Sequence, residues 1–142
     1  MRKFVDTAPL IYIIEGHPEF ADYTINFISE SLIQGDSFVT SVITVMEFGV
    51  KPEKENRKDI IDKFNEFLNK INVEVEDVDK EIATKAYQLR AKYQFLKGMD
   101  ALQIATALIT NCDEFITNDK KLSKVEEISI KLIEKENPAH NK

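Results

Sequence analysis

Hydrophobic residues fall into short runs and longer amphipathic stretches that alternate along the chain. The short segments lie at 3–6, 37–40, 72–75, 114–116 and 129–133, and polar or turn-forming residues bound them, as is typical of strands. The longer stretches repeat apolar side chains every three or four residues, as in Phe20, Tyr23 and Phe27, which predicts helices. The pattern therefore predicts strands that alternate with helices.

Capping and turn-forming residues set the predicted helix boundaries. The first helix begins at Asp6 and ends near Gly16, and the second closes at Gly35. Ser41 caps a third helix, which we expect to end before Pro52 because proline cannot continue a helix. Three more helices are predicted at 60–71, 79–93 and 99–109, and residues 119–124 form a further helix or turn.

This order of elements predicts an α/β fold made of βαβ units. We expect a three-layer α/β/α arrangement around a central, mostly parallel sheet of four to five strands. Residues 1–133 would form one domain, and the polar segment 134–142 a disordered tail. In such sheets ligands bind beyond the carboxyl ends of the strands, so chemistry is expected at that edge.

Composition places the chain among ordinary globular proteins. It has 142 residues, of which 43% are hydrophobic and 31% charged, and its apolar runs are too short to span a membrane. The N-terminal segment lacks the apolar core of a signal peptide, so we expect a cytoplasmic protein with no membrane association. Cys112 is the only cysteine, which excludes an internal disulfide.

The formal net charge of −6 argues at first against a nucleic-acid partner. The objection weakens if the acidic residues hold a divalent cation, because a carboxylate site that binds phosphodiesters through metal ions carries excess negative charge until the metal arrives.

Three aspartates follow predicted strands or begin predicted helices. Asp6 and Asp119 come just after apolar strand segments, and Asp100 opens the helix at 99–109. Each could simply cap a helix or complement its dipole. Their shared position at one edge of the sheet favours a common site instead.

Glu47 is the fourth candidate, since it interrupts an otherwise apolar helix. A helix buried on most sides rarely keeps a carboxylate without a partner, although a surface pair with Lys51 would be an alternative. Several carboxylates meeting at one edge would repel each other, and Mg²⁺ or Mn²⁺ bound to their oxygens would relieve that repulsion.

Four segments then resemble the motifs of the PIN-domain ribonucleases, especially the VapC-like toxins of toxin–antitoxin pairs. They contain the four acids in order: Val5–Tyr12, Ser41–Phe48, Asp100–Leu108 and Phe115–Lys120. The resemblance spans nearly the whole chain and implies a PIN-like fold.

By position, the resemblance implies that Asp6, Glu47, Asp100 and Asp119 form a catalytic metal site for Mg²⁺ or Mn²⁺. Three further residues would support it by hydrogen bonds: Thr117, Thr7 and Asn118. The activity implied is endonucleolytic hydrolysis of RNA, and the partners implied are a cognate antitoxin and a second copy of the chain in a homodimer. Asp6, Asp100 and Asp119 would be direct ligands, and Glu47 a ligand, an orienting group or a general base.

Lys120, Lys121 and Arg90 lie near the third and fourth motifs and could contact RNA phosphates, although a solvated charged surface is the simpler interpretation. A histidine-driven nuclease is disfavoured because His17 and His140 are both expected to face solvent. Two other classes stay open: a catalytically silent PIN-like RNA- or protein-binding module, and a receiver-like signalling domain with acids around Mg²⁺.

Overall fold

The computed structural model describes residues 1–134, so the predicted disorder of segment 134–142 falls almost wholly outside the described residues. Five strands and six helices follow one another: β1 (Arg2–Val5), α1 (Thr7–Glu15), α2 (Ala21–Ile33), β2 (Ser37–Ser41), α3 (Val42–Lys54), α4 (Lys58–Lys70), β3 (Glu74–Glu76), α5 (Lys80–Lys92), α6 (Gly98–Ile109), β4 (Glu114–Thr117) and β5 (Ser129–Leu132). A short 3₁₀ helix, Lys120–Lys124, joins β4 to β5.

All the strand pairs are parallel, in the order β3-β2-β1-β4-β5. Parallel strands need helical crossovers, and the strand–helix alternation supplies them. The α/β class and the three-layer arrangement with a parallel sheet are therefore confirmed, with five strands in the sheet.

Each face of the sheet has its own hydrophobic core, because neighbouring strand residues point to opposite sides. Phe4 and Phe115 pack with residues of α5 and α6, whereas Val5 and Ile116 pack with residues of α1, α2, α3 and α4. Burial on both faces explains why Phe4–Val5 in β1 and Phe115–Ile116 in β4 are consecutive apolar residues rather than apolar residues that alternate with polar ones.

Most predicted helix boundaries agree with the structure. Gly16 ends α1 in the left-handed conformation, at φ 67°, and Asp79 caps α5 by accepting a hydrogen bond from the Ile82 amide. Pro52 is an exception, since α3 continues through it to Lys54. The proline removes the bond that the Phe48 carbonyl would accept, but only two helical residues follow, so little of the helix depends on it.

Among the residues that the structure describes, no helix is both long and apolar enough to cross a membrane.

Candidate active site

The order of the strands creates a crevice at the carboxyl ends of β1 and β4. These two strands are parallel neighbours in the sheet. From β1 the sheet continues on one side through β2 and β3, and from β4 it continues on the other side to β5. Helices that follow two such strands diverge, which leaves a gap at the strand ends. Asp6 comes directly after β1, and Asp119 lies two residues beyond β4, so both acids lie at this edge.

Asp6 is partly buried and closely held. Its Oδ1 accepts a hydrogen bond from the Thr7 amide at 2.9 Å, and its Oδ2 accepts one from the Thr117 hydroxyl at 2.8 Å. The pKa of Asp6 is raised to about 6: burial is the main cause, and the charges of Asp100 and Glu47 add to it, whereas the two hydrogen bonds lower the pKa. Asp6 is thus both the cap of α1 and a member of an acidic cluster.

Glu47 reaches the same cluster from α3. Its Oε1 accepts a hydrogen bond from the Thr7 hydroxyl at 2.7 Å, which ties α3 to the start of α1. The alternative pair with Lys51 does not form, because Lys51 lies 3.6 Å from Glu15 instead.

The expectation that Glu47 lies in a helix buried on most sides was wrong. Glu47 is itself exposed, and so are four apolar side chains of α3: Val42, Val45, Met46 and Val50. The apolar sequence of α3 reflects an uncovered surface as well as a core, and periodicity alone does not separate the two.

Asp100 lies in the first turn of α6 and is half-buried. Burial raises its pKa, and the charges of Asp119 and Glu47 raise it further, whereas Lys97 and Lys121 lower it. Asp100 therefore lies within electrostatic reach of all three other predicted acids, since it also acts on Asp6.

Asp119 caps the 3₁₀ helix, with its Oδ1 accepting a hydrogen bond from the Lys121 amide at 3.0 Å. Its own amide donates to the Thr117 hydroxyl at 3.2 Å. Thr117 therefore contacts both Asp6 and Asp119, and fixes one carboxylate relative to the backbone of the other.

The four acids converge, but they do not form a closed cage. Within residues 1–134, no three carboxylate, histidine or cysteine side chains are arranged to hold one metal ion together. The donor set fits a hard cation that takes one or two carboxylates and keeps several waters, as Mg²⁺ does. The raised pKa of Asp6 points the same way, because a cation there would offset the cost of its buried charge.

The remaining predicted residues divide by their contacts. Asn118 is exposed and its side-chain amide donates to the hydroxyl of Tyr12 rather than to an acid. Arg90 uses its Nε to donate to the Leu96 carbonyl at 3.3 Å, which braces the loop before α6. Lys120 and Lys121 are exposed beside Asp119.

Sequence reasoning missed a buried polar network behind the acids. It joins Gln103 of α6 to Ser41, the last residue of β2, and to Thr44 of α3, and it joins Thr44 to Thr40 of β2. These four side chains are all buried. The available signal was their spacing, since Thr44 precedes Glu47 by one helical turn and Gln103 follows Asp100 by one turn.

His17 differs from its prediction. It is partly buried between Tyr12 and Phe20, and its Nδ1 accepts hydrogen bonds from the amides of Glu19 and Phe20. The ring therefore serves the turn before α2. His140 lies outside the described residues.

A model of the PIN domain family matches residues 3–128. The fold is similar to that of VapBC2 from Rickettsia felis bound to a promoter DNA fragment, with a TM-score of 0.79 at 20% identity over 94% of this chain and 100% of that chain. It is also similar to DNA-bound VapBC from Salmonella typhimurium, with a TM-score of 0.68 at 21% identity over 92% of this chain and 97% of the other. A toxin–antitoxin complex from Klebsiella pneumoniae gives 0.66 at 23% identity, over 89% and 94% of the two chains. No curated protein matches the chain.

Proposed function

Since this chain belongs to the PIN domain family, we propose that it is a cytoplasmic, metal-dependent endoribonuclease that acts as the toxin of a toxin–antitoxin pair. The observation that carries the proposal is the convergence of Asp6, Glu47, Asp100 and Asp119 on the crevice between β1 and β4. There, besides burial, the charges of Asp100 and Glu47 raise the pKa of Asp6, and those of Asp119 and Glu47 raise the pKa of Asp100. The family match leaves no place for the receiver-like alternative. A catalytically silent PIN module remains the competing function.

In this proposal, Asp6, Asp100 and Asp119 would hold Mg²⁺ or Mn²⁺ through their carboxylate oxygens. When bound, the cation would supply Lewis acidity that offsets phosphate charge and makes water a better nucleophile. Asp6 suits this role because Thr117 and the Thr7 amide fix its oxygens in place.

Glu47 is the group best placed to orient or deprotonate the attacking water. It is exposed, so water reaches it, and the Thr7 hydroxyl holds one carboxylate oxygen and leaves the other free to accept a proton. The positive charges of Lys97 and Lys121 lie close enough to Asp100 to lower its pKa, and would draw an RNA phosphate toward the acids.

The acidic cluster alone would repel an anionic substrate, so such a substrate needs positive charge at the site. With a net charge of −6, the chain repels a polyanion over most of its surface, so binding would depend on the cation and on the lysines beside Asp119. We propose RNA as the substrate on the family resemblance, with hydrolysis leaving a 5′-phosphate.

Two partners complete the proposal: an antitoxin and a second copy of the chain. The structural relatives described as toxin–antitoxin complexes support the first. The exposed apolar surface of α3 supports the second, together with the adjoining groove of about 400 Å³ between α3 and α4, which is lined by Val45, Met46, Ile61 and Phe64.

The direct test is incubation of the purified chain with end-labelled single-stranded RNA, hairpin RNA and DNA of matched sequence, in Mg²⁺, Mn²⁺ or EDTA. We expect cleavage of RNA within the strand, 5′-phosphate ends and complete loss of activity in EDTA. No cleavage of any RNA in either metal would favour the silent module, and equal cleavage of DNA would refute the assignment to RNA.

The toxin role needs a separate experiment. Expression of the chain alone in a bacterial host is expected to arrest growth, and co-expression with the product of a neighbouring short reading frame to restore it. Growth arrest by a variant without nuclease activity would contradict this role.

A further inference from the structure

A single buried hydrogen-bond chain connects the elements that present three of the four acids. It begins at the Gln103 side chain in α6, passes through Thr44 in α3 and Thr40 in β2, and ends at the Val5 carbonyl in β1. Three residues of this hydrogen-bond chain lie close in sequence to one of the acids. Gln103 is one turn after Asp100, Thr44 is one turn before Glu47, and Val5 directly precedes Asp6.

The direction of the chain follows from counting protons. Thr40 Oγ1 lies 2.8 Å from the Val5 carbonyl oxygen, and because a carbonyl oxygen only accepts, Thr40 donates its one proton there. Thr40 must therefore accept a hydrogen bond from the Thr44 hydroxyl, which is also 2.8 Å away. Thr44 has then donated its one proton, and it accepts from Gln103 Nε2 at 2.7 Å. The hydroxyl protons of Thr40 and Thr44 and one N–H of the Gln103 amide therefore each have an acceptor.

Ser41 fixes which way the Gln103 amide points. The Ser41 oxygen already accepts the Ile43 amide at 3.1 Å, so its hydroxyl proton needs an acceptor, and Gln103 Oε1 is the one beside it. A flipped amide would face Ser41 with a second donor and leave the hydroxyl proton unpaired in a fully buried place, which costs free energy.

We infer that Gln103 is a positioning residue that sets the separation of the α3 and α6 acids from Asp6 through Thr44. This inference rests on the proposed metal-dependent site. Gln103 is 1% exposed and Thr44 is fully buried, so neither touches a substrate. Gln103 acts on the acids through the helices that carry them, and removal of its link to Thr44 would let α6 shift relative to α3. Thr44 also acts more directly, because its hydroxyl lies 3.3 Å from the Thr7 hydroxyl that holds Glu47.

The first test compares Thr44→Val, which removes the hydroxyl at nearly constant volume, with Thr106→Val. Thr106 is equally buried and lies in α6, but its hydroxyl bonds only to the Leu102 carbonyl of its own helix. We expect Thr44→Val to weaken Mn²⁺ binding in calorimetry by about 10–100-fold and to lower kcat without raising KM. Thr106→Val should change neither, and Thr44→Ser should restore what Thr44→Val loses.

The second test uses the pH dependence of kcat in Gln103→Glu. If Gln103 had a purely structural role, this dependence would be the same as in the wild type. Protonated, the introduced carboxyl group donates to Thr44 as the amide does. Ionised, it accepts from both Ser41 and Thr44, so the Thr44 proton turns away from Thr40. We expect kcat relative to the wild type to fall as pH rises through the ionisation of that group. If Thr44→Val does not fold, this profile decides the inference.

The outcomes separate this inference from the proposed function. Equal Mn²⁺ affinity and kcat in Thr44→Val and Thr106→Val, or a Gln103→Glu profile parallel to that of the wild type, would overturn the positioning role and leave the nuclease intact. If the wild type cuts no RNA, and if Thr44→Val binds Mn²⁺ more weakly while Thr106→Val does not, the proposed nuclease activity is overturned and the positioning role stands. A wild type that binds no Mn²⁺ would overturn both.

Discussion

The hydroxyl of Thr117 donates a hydrogen bond to Oδ2 of Asp6 at 2.8 Å, although the two residues are 111 positions apart in the sequence. The pairing of β1 with β4 makes this possible, since Val5 is in register with Ile116 and the Asp6 amide donates to the Ile116 carbonyl. The contact lowers the pKa of Asp6, yet burial outweighs it. The surroundings of Asp6 therefore favour the neutral form of its carboxyl group over the charged form.

The raised pKa of Asp6 predicts a pH-dependent loss of stability without metal. The folded pKa, about 6, exceeds the ordinary value of 3.8, so the folded state binds the proton more tightly than the unfolded state does. The contribution of Asp6 to stability is then fully present below about pH 4 and is lost as pH rises through 6. Asp6→Asn removes the charge and keeps a carbonyl oxygen that accepts the Thr7 amide, but it loses the bond from Thr117, so we expect it to raise stability at pH 7.5 by about 1–2 kcal/mol.

Urea unfolding of both proteins in EDTA at several pH values measures this difference. The gap should close between pH 6 and pH 4. Asp62→Asn, which removes an exposed acid from α4, should show no such gap. A wild type as stable as Asp6→Asn at pH 7.5 would mean that the Asp6 charge carries no cost.

Metal binding should reverse that instability. Mn²⁺ that binds only the folded state stabilises it by mass action, by about 2.7 kcal/mol at a hundred times its Kd. We expect thermal unfolding of the wild type to shift upward with Mn²⁺ and to return with EDTA. The shift should be small or lost in Asp6→Asn, and equal shifts in both proteins would place the cation elsewhere.

Asp100→Asn tests the contribution of α6 to catalysis. The fold should persist because the change keeps the size of the side chain. Cleavage should fall at least about 100-fold because the change removes a carboxylate charge of the acidic cluster, one that also acts on Asp6. The measurement is the initial rate on labelled RNA in Mn²⁺, with Asp62→Asn as the matched surface control. Full activity in Asp100→Asn would refute the mechanism.

Lys121 provides a test of substrate attraction that is separate from metal binding. Its backbone amide holds Asp119, whereas its exposed side chain is free to meet a phosphate. We expect Lys121→Gln to raise KM for all RNA sequences alike and to reduce the salt dependence of binding by about one ion. Lys70→Gln, at the C-terminal end of α4, should leave both unchanged.

The apolar surface of α3 predicts self-association. Val45 and Met46 are 42% and 51% exposed, so a dimer that covers them would remove apolar surface from water. Light scattering should give twice the chain mass of 16.3 kDa for the wild type and the chain mass for Val45→Glu. Tyr87→Glu, an equally drastic change at an exposed position of α5, should stay dimeric, and a monomeric wild type would contradict the prediction.

Much of this architecture could be predicted because local chemistry marks its boundaries. Gly16 and Asp79 end and begin helices through their own backbone preference and side chain, and the sequence displays both. The burial of Glu47 was misjudged because an apolar helix surface looks the same whether a core or a partner covers it. The bond between Thr44 and Gln103 was missed because it joins residues 59 positions apart, and only the folded sheet brings them together.

The pairing of β1 with β4 also sets when the acidic site first exists. Asp6 is synthesised 111 residues before Thr117, so the strand that places Thr117 and Asp119 beside it is added long after β1. A nascent chain that stops before residue 114 lacks the strand that closes the crevice, and so lacks two of its polar groups. On the ribosome, the proposed site therefore stays incomplete until β4 has been synthesised and has paired with β1.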